Sequence, residues 1–373
     1  MRSNFQLLLL FCFITVTTNG QDDQSFSLNI GDPAPLLRVR EWIKGQPVQR
    51  FEKGNMYVVE FWATWCIPCI AAMPHLSDLA GEYKNRVTIL GIDIYEKKTT
   101  SMEKVKAFVD SMGQRMDYRV AAADSNFMVT DWFDASGEKG IPKTFIVNAE
   151  GRVAWIGHPK YLAVVLPKIL NNNWDIKEAL AKRNLYMHLN ALDDSLSTEL
   201  LRFNDDPDKP YDLGKPDSAL LVINEMIRKE PRLEYAPGIS AITFSSLLKT
   251  NLDKAYEYGK TLLVTSTYND AIYDDPNYHI IFGNIKAYSD KLNLPAEIYR
   301  LGAEAYQTRI DAFPETAVPI FYNNMAEFYW RACDKSKAIA IQQKAIEALK
   351  IEKHFSATNL AAFEFRLQQY KRM

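Results

Sequence analysis

The chain has 373 residues, 44 basic and 46 acidic side chains and a net charge of -2. That length exceeds what one typical core needs and implies about two domains. The even charge balance leaves no broad basic field to recruit nucleic acid and no acidic tail.

Arg2, an apolar stretch Leu7–Val16 and the polar run Thr17-Thr18-Asn19-Gly20 open the chain. An apolar core of roughly ten residues fits a secretory signal peptide over 1–20, is short for a membrane span, and predicts cleavage near Gly20. Cys12 is flanked by Phe11 and Phe13, where a lipid-anchoring signal wants small residues. The expected location is therefore extracytoplasmic, the periplasm or cell envelope.

Strands and helices then alternate. Tyr57–Phe61 reads as a buried strand, Cys66–Tyr83 as a helix, Val87–Ile94 as a strand and Ser101–Met112 as a helix. Tyr118–Ala122, a polar helical stretch at Asn126–Phe133, strands Lys143–Asn148 and Arg152–Ile156 about a Glu150-Gly151 turn, and a helix Tyr161–Leu170 follow. The alternation predicts an α/β layer structure with parallel pairing, and the hairpin adds an antiparallel edge.

Asn171-Asn172-Asn173 breaks the pattern, giving expected domains at 21–172 and 173–373. The second is all-helical. Leu180–Leu192, Asp217–Lys229, Ile239–Leu248, Asp253–Thr265, Tyr278–Lys291, Ala296–Asp311, Pro319–Ala332, Lys335–Ile351 and Ala357–Tyr370 carry apolar residues at helical spacing. Leu252-Asp253-Lys254-Ala255, Leu294-Pro295-Ala296-Glu297 and Ser336-Lys337-Ala338-Ile339 recur at about forty residues, the range of stacked helical hairpins. The last unit, Asn324–Ala348, resembles a tetratricopeptide repeat; the others resemble it weakly.

The chemistry concentrates in Trp65-Cys66-Ile67-Pro68-Cys69, directly after the first buried strand. Positions i and i+3 of a first helical turn share a face, so two thiols there can close and reopen a disulfide ring. Unpaired N–H groups and the positive end of the helix dipole favour a thiolate at Cys66. Beyond the leader only Cys333 remains, too few cysteines for a stapled scaffold. A zinc site lacks ligands, since His75, His158, His188, His279 and His354 are not spaced as a donor set. No metal and no bound cofactor are expected. His75 reads as an exposed helical residue, and Cys333 as a small buried hydrophobe on an alanine-rich helix face.

Val59-Glu60-Phe61-Trp62-Ala63-Thr64-Trp65-Cys66-Ile67-Pro68-Cys69, the in-helix Met73-Pro74 and Gly140-Ile141-Pro142-Lys143-Thr144-Phe145 resemble a thioredoxin fold. Gly31-Asp32-Pro33-Ala34-Pro35, with the extra helix and strand between Ile92 and Gly140, is similar to the TlpA-like and ResA-like extracytoplasmic thiol:disulfide oxidoreductases. The resemblance covers about Leu28 to Leu170. It implies a central mixed sheet flanked by helices, followed here by an all-α, helical-repeat-like domain.

It also implies roles. Cys66 would be the attacking thiol, with the exposed sulfur, and Cys69 the resolving one. Glu60 stands where thioredoxins carry a buried acid and would exchange a proton with Cys69. Pro142 would be cis, leaving the Ile141 main chain to pair with an extended substrate segment. Trp65 would shield the disulfide and contact substrate; Ile67 and Pro68 complete the surface. Pro68 stiffens the first turn, and Pro74 would kink the helix. Ile67 supplies no charge where strongly oxidising relatives carry His, so the pair is expected to be reducing.

The leading expectation is a protein-disulfide reductase with disulfide-containing protein clients and an upstream membrane thiol donor. A disulfide oxidase or isomerase, and a scaffold whose helical domain binds a protein partner, are the alternatives. Peroxiredoxins resemble the chain at Asp32-Pro33-Ala34-Pro35, but their lone peroxidatic cysteine motif is absent.

Overall fold

Met56–Trp62 is buried along its whole length and forms β2, the centre of a six-stranded sheet. The computed structural model describes residues 26–124, 126–204, 214–265, 277–312, 314, 318–351 and 357–372; the expected leader, with Cys12, lies outside them. The other strands are β1 (Val39–Lys44), β3 (Val87–Asp93), β4 (Arg119–Ala123), β5 (Lys143–Val147) and β6 (Val153–Gly157), in the order β1-β4-β3-β2-β5-β6. β2, β3 and β4 run parallel, while β5, β6 and β1 attach antiparallel. Sequence patterning did not pick out β1, whose half-buried residues and two register irregularities against β4 blur the period of two.

Alternation along β2 sends its side chains to two different layers. Val58 and Trp62 pack beneath α1 (Ile67–Glu82), α2 (Met102–Met112) and α3 (Leu162–Leu170), in a core with Met73, Leu76, Val105, Val109 and Leu166. Tyr57, Val59 and Phe61 face the opposite layer with Leu90, Phe145, Trp132 and Phe133. There Phe61 meets Trp132 at 5.8 Å and, edge-on, Phe133 at 5.0 Å and Phe145 at 5.6 Å. Such ring pairs add about 0.5–1.5 kcal/mol each beyond their buried area.

Beyond Asn171 the elements among the described residues are all helical: α4 (Ile176–Leu200), α5 (Pro216–Lys229), α6 (Pro237–Thr250), α7 (Leu252–Val264), α8 (Tyr278–Tyr288), α9 (Ala296–Ala312), α10 (Pro319–Arg331), α11 (Lys335–Ile351) and α12 (Ala357–Arg372). α8 to α12 each pack on the next, and α6 also touches α8 as α7 touches α9, which makes a layered array. Gly302 lets Phe328 approach so closely that a Cβ would come within 2.6 Å of its ring. α4 is different. Its N-terminal half lies on the sheet, with Ala179 buried and Ile176 and Leu180 packed in the same layer as Phe61 and Phe145. None of the described helices is long and apolar enough to cross a membrane.

Two side chains depart from expectation. Cys333 is exposed, not buried: α10 ends at Arg331, and Cys333 takes φ 60 in the turn before Asp334, whose carboxylate accepts the N–H of Lys337 and caps α11. His75 is half-buried, in a cleft it lines together with Asp78, His158, Ala312 and Pro314, and burial lowers its pKa against the pull of Asp78.

Candidate active site

β2 runs out at Trp62, and three residues later the chain turns into α1. Cys66 caps that helix in an extended conformation (φ -84, ψ 94), and its Sγ accepts the N–H of Cys69 at 3.2 Å. Cys66 and Cys69 are disulfide-bonded, with S–S 2.01 Å and Cα–Cα 5.3 Å. The sulfur of Cys66 thus occupies the place of an N-cap oxygen, at the positive end of the helix. α1 continues through Pro74 to Glu82.

The expected exposed sulfur is corrected by the packing. Cys66 is 3% exposed and Cys69 0%, because both belong to the core beneath α1 with Met73 and Trp62. Access lies with their neighbours: Trp65 is 46% exposed, Ile67 49%, and Pro68 is also exposed.

The Ile141–Pro142 peptide bond is cis and leads directly into β5. Lys143 pairs with Phe61 in the antiparallel register, which brings the proline turn to the same end of the sheet as the dithiol. Pro142 is buried and Ile141 half-buried. The main-chain N–H and C=O of Ile141 have no hydrogen-bond partner among the described residues.

Glu60 lies level with Gly91 on β3 and Thr144 on β5, on the face that α1 covers. It is fully buried, its oxygens make no hydrogen bond among the described residues, and burial pushes its carboxyl well above the ordinary range. Tyr118 comes close on the same face, its own pKa raised by burial and by Glu60. Gly91 makes room for this group: a Cβ there would meet the Tyr118 ring at 2.8 Å and the indole nitrogen of Trp62 at 3.3 Å. A carboxyl whose neutral form is favoured by burial in an apolar layer can act as a proton donor, and its ionised form as an acceptor.

A further acidic pair went unnoticed in the sequence. After β3 the chain doubles along the residues preceding Cys66: Ile94 N donates to Trp62 O at 2.8 Å and the Trp65 indole to Tyr95 O at 2.9 Å. Glu96 accepts the N–H of Thr64 at 2.5 Å and its hydroxyl at 2.9 Å. Tyr95 takes φ 58 to make the turn. Asp93 is buried behind them, its pKa raised to about 8 by burial and by Glu96. The available signal was Asp93-x-x-Glu96 closing a strand whose parallel neighbour ends in the cysteine motif. Among the described residues no cluster of His, Cys, Asp or Glu is arranged to hold a metal.

A mixed sheet with a cis-proline turn beside a disulfide-forming pair at a helix N-terminus defines a thioredoxin-like thiol:disulfide oxidoreductase. The AhpC/TSA family pattern matches residues 30–156. The chain is 36% identical over 167 residues to protein FixW of Rhizobium leguminosarum, covering 42% of this chain and 74% of that one. It is 27% identical over 157 residues to thiol-disulfide oxidoreductase ResA of Oceanobacillus iheyensis, covering 41% and 77%. With thiol:disulfide interchange protein DsbE of Pasteurella multocida it shares 29% over 151 residues, covering 39% and 77%. A solved thiol:disulfide interchange protein of Chlorobium tepidum is 24% identical, with TM-score 0.32 over 37% of this chain and 96% of that one. The chain belongs to the AhpC/TSA family.

Proposed function

We propose that the chain is an extracytoplasmic protein-disulfide reductase that cycles Cys66 and Cys69 between dithiol and disulfide. The observation that carries this reading is the bonded cysteine pair at the head of α1, with Cys66 Sγ accepting the N–H of Cys69. In the reduced protein the Cys66 thiolate attacks one sulfur of a client disulfide; a mixed disulfide forms and the other client sulfur leaves as thiolate. The Cys69 thiolate then attacks the Sγ of Cys66, the second client thiolate departs, and two electrons have passed to the client. The carboxylate form of Glu60 takes the proton of Cys69 as that thiol becomes the nucleophile and passes it on to the departing client thiolate. A membrane thiol donor returns the pair to the dithiol form.

The free main chain of Ile141 beside Pro142 supports docking of an extended client segment as an added strand, with Trp65, Ile67 and Pro68 as its apolar surround. The uncharged Ile67 between the cysteines supports the reducing direction. Relatives named thiol-disulfide oxidoreductase support the chemistry, and the Arg2 to Gly20 pattern supports export. Equilibration with glutathione and dithiothreitol buffers tests the reading: a potential well below that of a strong oxidant is expected, and a value near about -120 mV would make the protein an oxidase instead.

A further inference from the structure

The dithiol chemistry leaves one deeply buried charge unexplained, and it comes from the helical half. Arg183 of α4 is 1% exposed at its side chain. Its Nη1 donates to Glu138 Oε1 at 2.9 Å and its Nη2 to the main-chain oxygen of Ser136 at 2.6 Å. The second oxygen of Glu138 accepts from Lys143 Nζ at 2.6 Å. The side chains of Glu138 and Lys143 are 9% and 19% exposed, so the whole chain of contacts is shielded from water. Burial works against the Glu138 carboxylate, but Lys143 and Arg183 together hold it below the ordinary range. Charges removed from water in this way persist only when each is paired and hydrogen-bonded, and removing one strands the others.

The position of this chain of contacts matters more than its strength. Lys143 follows Pro142 directly, and Ser136 and Glu138 open the segment that ends in the cis-proline turn. Around Ser136 the backbone is already tied: its hydroxyl bonds to Trp132 O and Phe133 O, and Glu138 N donates to Phe133 O. From Lys139 to Pro142 no main-chain hydrogen bond to another described residue holds the segment. Its two ends are instead gripped by one guanidinium–carboxylate–ammonium chain whose anchor is a residue of α4. Packing alone would have been served as well by apolar side chains in place of all three charged residues.

We propose that the helical half acts on the active site in cis: the Arg183–Glu138–Lys143 chain holds Ile141 and Pro142 where a client strand is received, so that α4 sets affinity for protein disulfides. Arg183 and Glu138 are positioning residues, acting through Lys143 and the turn beside it. This rests on the reductase reading above and adds to it the part played by the helical domain.

The test uses the full chain with Arg183→Ala, Glu138→Gln and Arg183→Lys, assayed on insulin as the protein disulfide. Arg183→Ala and Glu138→Gln raise KM about fivefold or more with kcat within about twofold, and Arg183→Lys recovers most of the loss. A fall in kcat at unchanged KM, or no change in either, overturns the proposal. Backbone relaxation of the oxidised protein gives a second readout: the order parameters of Gly140 and Ile141 fall from the rigid range of about 0.85 to about 0.6 in the two damaging variants, and values equal to the parent's overturn it. Should Arg183→Ala fail to fold, Glu138→Gln, which keeps the volume but gives up the charge and one of the two acceptor oxygens, decides. If the parent chain does not turn over insulin, the reductase reading falls, and the order parameters still decide whether α4 holds the turn.

Discussion

Glu96 holds Thr64 by both of its donors, the N–H and the hydroxyl, two residues before the cysteine at the head of α1. The same loop takes the indole N–H of Trp65 on Tyr95 O. Thr64 and Trp65 are thus fixed by three hydrogen bonds to one short segment. Glu96→Ala removes two of them. Hydrogen bonds to a charged group are worth about 1.5–3 kcal/mol each when buried, and Glu96 is half-exposed, so the net loss is nearer 1–2 kcal/mol. The expected result is a fall of about threefold to tenfold in kcat/KM, with a change in Trp65 fluorescence as its ring loses its seat. Stopped-flow reduction of a protein disulfide measures both.

Glu60→Gln removes a fully buried carboxyl on the sheet face that α1 covers. General acid–base groups contribute about 10²–10⁴-fold, and the amide can still fill the space, so a loss of about 10- to 100-fold in the resolving step is expected. The sharper signature is the pH profile. With the carboxyl gone, the inflection it contributes above the normal carboxylate range disappears from the rate of disulfide closure. An unchanged profile would remove the acid–base role.

Stability should respond to the two buried acids in a defined direction. A carboxyl whose folded pKa is raised holds its proton longer in the folded chain, so its burial costs nothing below the unfolded value and destabilises progressively as pH rises to the folded one. For Asp93 that window runs from 3.8 to about 8. Asp93→Asn should therefore gain over the parent as pH rises through that window, by about 2 kcal/mol at pH 8 once relaxation has discounted the full linkage of about 6 kcal/mol. Melting temperatures at pH 5 and pH 8 measure the gap, which widens toward pH 8. Glu60→Gln moves the same way.

Gly91→Ala places a methyl against the Tyr118 ring and the Trp62 indole in the central layer of the sheet. Overpacking at such a point costs about 1–3 kcal/mol. Denaturant titration should place the variant that far below the parent. A neutral result would mean that Tyr118 moves freely and that the space beside Glu60 is not tightly defined.

Cys69→Ala leaves Cys66 able to join a client but not to release it. Mixed disulfides should accumulate on non-reducing gels and vanish with dithiothreitol. Cys66→Ser should form none; adducts in that variant would reverse the roles of the two cysteines.

Much of this architecture was legible in the residues because each layer repeats its own signal. β2, β3 and β5 are apolar runs bounded by turns, and α1 to α12 carry three- and four-residue spacing. The cysteine pair and the proline before β5 stood out because their chemistry is local: a ring closed across one helical turn, and a peptide bond whose geometry proline permits. What was missed depends on distance in sequence. Glu96 reaches Thr64 across 32 residues and Arg183 reaches Glu138 across 45, and no periodicity records such meetings. β1 was lost because an irregular edge strand obeys no strict alternation. Cys333 was misplaced for a different reason: one residue in the left-handed region ends α10, and composition alone does not reveal where a helix stops.

The seat of α4 on β6, in the apolar layer that also holds Phe61 and Phe145, gives the two halves a shared fate. A chain cut at Asn172 would bare an apolar patch the size of two helical turns and would cluster with its own kind in solution. The helices are thus no pendant that could be traded for another module: any descendant that sheds them must first find a new cover for that side of the sheet.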